Sequence, residues 1–162
     1  MDERELHRYL QDHASGSDVA LAIATRLARA HTGTEIGSVM DTLAENIRSE
    51  QRVVRSAIDR LPFHPDPIRR AFGLVGAAGR LAGSLPFVPE PSLVEDLEGL
   101  AVGIWGKRLL WGALARVAAS EGGFDGVDLD ELAAKAEDQE REILRLRSDA
   151  LEEVFDLVGH PS

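Results

Sequence analysis

Cysteine is absent from this chain. That excludes disulfides, thiolate metal sites and cysteine nucleophiles, and it fits a reducing compartment, so a cytoplasmic location is expected. Lysine is nearly absent too: Lys107 and Lys135 are its two occurrences, and arginine supplies the remaining positive charge, as a GC-rich bacterial genome would favour. There is no excess of positive charge. The formal net charge is −10, which disfavours nucleic acid and anionic membrane surfaces as partners. No uninterrupted apolar run reaches about 18 residues, so no membrane span is expected. The first residues, Met1-Asp-Glu-Arg-Glu5, are charged and contain no signal-peptide apolar region. Internal repeats, low-complexity tracts and the alternating pattern of strands are also missing.

What is present is helical periodicity. The 162 residues suit one domain with a buried core, and the proportions of 44% hydrophobic and 28% charged residues are those of a globular protein. Asp2 with Glu5 starts helix A, residues 3–30, whose stripe runs Leu6, Tyr9, His13, Gly16, Ala20, Ile23, Leu27 and Ala30. Gly16 and Ser17 weaken it locally, so a bend or a close helix contact is expected there. The turn His31-Thr-Gly-Thr34 leads to helix B, residues 35–60, with Ile36, Met40, Leu43, Ile47, Glu50, Val54 and Ala57 in its stripe. A turn this short makes A and B antiparallel neighbours.

Residues 62–91 form a long connection bracketed by prolines, with Asp66-Pro67 as a helix-start signal. A crossover helix over 67–82 is predicted, with Phe72, Val75 and Leu81 pointing inward. The glycines Gly73, Gly76 and Gly79 follow no strand and match neither dinucleotide nor Walker spacing, so they read as close packing. Helix C, residues 92–119, opens on the capping box Ser92…Glu95 and carries Leu93, Leu97, Leu100, Ile104, Trp111, Leu114 and Ala118. Val94, Val102, Trp105, Leu109 and Leu110 cover much of the remaining circumference, which predicts a central helix packed on most sides. Its small residues Gly99, Gly103, Gly106 and Ala113 form a ridge for the crossover or a second subunit. After the loop Glu121-Gly-Gly-Phe-Asp-Gly126, Asp128 with Glu131 starts helix D, residues 128–158, stopped by Gly159 and Pro161.

Each main stripe holds one polar residue: His13, Glu50, Lys107 and Gln139. If B runs parallel to C, which the long connection permits, the four fall near one level, within roughly a few Å at 1.5 Å per residue. A lysine in an apolar stripe then calls for acceptors. Glu50 and the Gln139 carbonyl are the expected ones, with Glu45, Glu98 and Glu137 as possible additional contacts. A solvent-reaching Lys107 that never meets Glu50 is the alternative.

Two antiparallel helix pairs joined by a long crossover resemble the ferritin-like superfamily, and small bacterial ferritin-like domain proteins in particular. The phrases Tyr9-Leu-Gln-Asp-His13, Glu98 to Trp111 and Ala136-Glu-Asp-Gln139 carry the resemblance, which covers nearly the whole chain. It implies an all-α, ferritin-like four-helix bundle. The family's di-iron or di-manganese site needs a glutamate from each of two helices and Glu-x-x-His from each of the others. Here Glu45 is followed at the third position by Arg48, Glu50 by Val53 and Glu137 by Glu140.

The expected function is therefore a non-catalytic bundle acting as a protein-interaction or stress-associated accessory module, with no catalytic residues, metal or other cofactor, and with a protein partner or a homodimer in view. The alternative is an oxidoreductase or metal-binding protein holding iron or manganese in an atypical carboxylate site. A small-ligand pocket near Trp105 and Trp111 is a third reading. No nucleophile elbow supports a hydrolase.

Overall fold

The fold is all-α. The computed structural model describes residues 2–61, 91–122, 124 and 126–155, and four helices fill almost all of them: α1 (Glu3–Ala30), α2 (Glu35–Arg60), α3 (Leu93–Glu121) and α4 (Leu129–Phe155). The expected crossover helix, with Phe72, Val75 and Leu81, and the stop signals Gly159 and Pro161 lie outside the described residues. Helices α1 and α2 belong to one compact unit, and α3 and α4 to another.

Local chemistry sets the helix ends of the first hairpin. The Asp2 carboxylate accepts from the amides of Arg4 at 3.0 Å and Glu5 at 3.4 Å, satisfying donors that the first helical turn leaves open. At the far end, the His31 amide returns to Leu27, Gly33 turns the chain with φ 83°, and the Thr34 hydroxyl accepts from the Gly37 amide at 3.3 Å. The two helices close over Leu10, Ala24, Leu27, Met40, Leu43 and Ile47, all buried. Burying each large aliphatic side chain contributes about 1.5–3 kcal/mol.

The close approach in this hairpin is not at Gly16, where a Cβ would meet nothing within 4 Å. It is at Gly37, where a Cβ would stand 2.2 Å from the His31 carbonyl oxygen and 3.4 Å from that of Ala28. The close contact expected at Gly16 is corrected: a weak helix former marks intrinsic propensity, whereas the tight contact arises where the turn folds α2 back over the end of α1.

In the second hairpin the capping box forms in full. Glu95 N donates to Ser92 Oγ at 3.2 Å, and Ser92 N donates to Glu95 Oε2 at 2.7 Å. The Ser92 amide, followed by the Ser92 hydroxyl, holds the exposed Glu95 carboxyl below its usual range. Gly122, at φ 74°, ends α3, and Asp128 caps α4 by accepting from the Glu131 amide at 2.8 Å. The pairs Glu98–Arg147 and Lys107–Gln139 give the antiparallel register, since the residue number rises along α3 as it falls along α4. Leu97, Leu100, Ile104, Trp111 and Leu114 of α3 are buried, as are Ala136, Ile143, Leu146 and Ala150 of α4.

One expectation for α3 fails. Val102 is 69% exposed, Trp105 48% and Leu109 49%, so the helix is buried on one face rather than on most sides. Hydropathy records what a face is made of and not whether anything covers it.

Candidate functional site

The α3–α4 seam carries the polar residue that the stripe pattern singled out. Lys107 Nζ donates to Gln139 Oε1 at 2.5 Å, with both residues half-buried. One turn on, Trp111 is completely buried, and among the described residues its indole Nε1 meets no hydrogen-bond partner; the same holds for Gln139 Nε2. Arg108 and Glu140 pair at 3.3 Å along the edge of this seam. Nearer the start of α3, Arg147 grips Glu98 Oε1 with two donors, at 2.6 and 2.8 Å. An amide carbonyl facing an ammonium satisfies one donor without adding a second charge.

Glu50 of α2 is 4% exposed. His13 of α1 is half-buried and meets Tyr9 edge to face, with ring centroids 4.6 Å apart. Burial lowers the His13 pKa, and the neighbouring Asp12 charge partly opposes that shift. Tyr9 is pushed up by its own burial. Gln51 fixes the α1–α2 register by donating to Ser17 Oγ at 3.0 Å and Asp18 Oδ1 at 2.8 Å. Glu50 therefore lies level with about residue 18 of α1, and His13 is some five residues further along, about 7 Å away at 1.5 Å per residue. Within this hairpin the two are not level.

The residues do not fit the di-metal centre that the ferritin-like resemblance implies. Glu45 and Glu137 are exposed, and Glu98 is exposed and held by Arg147. The seam position between Ile104 and Trp111 holds the Lys107 ammonium, and a fixed cation repels a second one. Among the described residues no three His, Asp or Glu side chains converge as metal ligands. The tryptophans also part company, Trp111 inward and Trp105 outward, so they do not line one pocket.

Some polar positions escaped the sequence reading. Gln51, His7 and Asp96 are buried, at 7%, 4% and 4% exposure. Asp96 lies in the acidic first turn of α3 and resembles a helix-dipole residue in sequence; His7 follows Leu6 of the stripe by one residue. An open groove on the first hairpin is lined in part by Arg26, Arg29 and Arg48, with Leu21, Ala22 and Asp18 beside them. It places three cations together on a chain of net negative charge.

The outward face of α3 is the other candidate. Val102 and Leu109 lie about half a turn around the helix from the buried Leu100, Ile104 and Trp111, and Trp105 about a third of a turn, at 100° per residue. Gly99, Gly103 and Gly112 are exposed near them, and a Cβ on any of these glycines would meet nothing within 4 Å. No helix among the described residues is long and apolar enough to cross a membrane. No protein-family model matches the chain, and no curated protein or solved structure shows significant similarity to it.

Proposed function

We propose that the chain is a non-catalytic, ferritin-like helical module that works by binding protein, as an accessory or stress-associated component. The observation that carries this reading is the exposed apolar face of α3. Val102, Trp105 and Leu109 lie on successive turns of one side, the pattern of anchors by which a helix engages another apolar surface. A tryptophan half-exposed between two aliphatic residues provides a large desolvation gain on association.

The seam supports the non-catalytic part of the reading. Lys107 and Gln139 complement one another within α3–α4 and leave the neighbouring carboxylates Glu98 and Glu140 to arginines. In this proposal the seam sets how α3 is held, and its outer face does the work.

The test compares the immobilised full chain with a Val102→Glu, Leu109→Glu variant of equal helix content. The variant is expected to lose proteins that the original chain retains. Equal retention by both would contradict the reading.

A further inference from the structure

We propose that the outer face of α3 is the interface of an antiparallel homodimer, in which α3 of one copy packs on α3 of the other about a twofold axis level with Ile104. This rests on the interaction reading and names its partner as a second copy of this chain. In such a pair, residues equally far before and after 104 face each other across the axis. Val102, two residues before, meets Gly106 of the second copy, two residues after. Leu109, five residues after, meets Gly99 of the second copy, five residues before. Each exposed aliphatic side chain thereby finds a position without a side chain, and the symmetry makes each contact twice.

The four positions 99, 102, 106 and 109 fall within about 80° of one another around α3, so they form one stripe. Gly99 has open space where a Cβ would stand, and Gly106 is half-buried. Trp105 stands on the flank of the stripe, where its exposed ring covers the contact from the side. Charge agrees with the same axis. Arg116, exposed and twelve residues after 104, faces Ser92 of the second copy, with the exposed Glu95 in the adjoining first turn. Both ends of the helix pair then bring a cation to an acidic turn. A parallel pairing would set Arg116 beside Arg116 and Glu95 beside Glu95.

Sedimentation equilibrium on the full chain at about 100 μM, well above a micromolar dissociation constant, is the first test. A dimer is expected, and Leu109→Glu is expected to weaken it about a hundredfold, because the axis brings the new carboxylate into an apolar contact twice. Since the chain has no cysteine, a disulfide test has no background. Gly99→Cys and Leu109→Cys chains, mixed and oxidised, should cross-link to each other. Neither should cross-link to itself, because identical positions are ten residue rises apart, about 15 Å, against a disulfide span of about 6 Å. This arm needs no charged substitution and remains informative if Leu109→Glu fails to fold.

A monomer at this concentration, or a dimer without the mixed cross-link, overturns the proposal. A monomer whose Leu109→Glu variant still loses captured proteins overturns the dimer and leaves the interaction reading standing. A monomer with no such loss removes both.

Discussion

Lys107 and Gln139 are 32 residues apart in the chain, and the ammonium of one meets the amide oxygen of the other across the α3–α4 seam. Hydrogen bonds to charged groups contribute roughly 1.5–3 kcal/mol, and a half-buried ammonium loses more when an acceptor is taken away than when the charge is removed with it. Gln139→Leu should therefore destabilise the protein by about 1–3 kcal/mol. The double variant Lys107→Met, Gln139→Leu should lose less than the sum of the single losses, with a coupling of about 0.5–3 kcal/mol. Urea unfolding of the four proteins measures this, and strictly additive losses would show that the bond contributes nothing.

Two glycines in the first hairpin should respond in opposite directions. Gly16 is exposed in the interior of α1 with open space around it, so Gly16→Ala should stabilise by about 0.5–1 kcal/mol through helix propensity alone. At Gly37 the new methyl group would collide with the His31 carbonyl, which is backbone and cannot swing aside. Gly37→Ala should cost about 1–3 kcal/mol through overpacking. Thermal unfolding of both variants reads the signs directly.

His13 gives a direction in pH. Its pKa is lowered in the folded chain, chiefly by burial, so the unfolded chain takes up a proton more readily. The stability it contributes is complete above the unfolded value of about 6.5 and declines as pH falls through the lowered folded value. His13→Phe keeps a ring against Tyr9 and removes the titration. Its stability should fall less than that of the original chain in that window, as measured by unfolding at a series of pH values. An equal fall in both proteins would place the pH dependence elsewhere.

Much of the helix layout was legible because caps and stripes are local. Asp2, Ser92 and Asp128 begin helices where their side chains can reach open amides, and the glycines after α1 and α3 mark their ends. The Lys107–Gln139 pairing was also within reach, since both stand in the apolar stripes of two helices joined by a short loop. Gln51 was not: it lies one residue beyond Glu50, and only the Ser17 and Asp18 side chains opposite explain why an amide is buried there. Nor was the fate of Val102, Trp105 and Leu109, whose hydropathy is that of a core and whose surroundings are not. Gly37 is a third case, since the carbonyl that requires it belongs to the preceding turn.

The central proposal is that the Lys107 ammonium in the α3–α4 seam stands in for the metal of a ferritin-like bundle, so that the chain acts as a scaffold rather than as an oxidoreductase. The metal-to-chain ratio of protein purified from cells grown with iron and manganese tests this most directly. A ratio far below one is expected. A ratio of roughly one or two irons or manganese ions per chain, the content of a di-metal bundle, would contradict it.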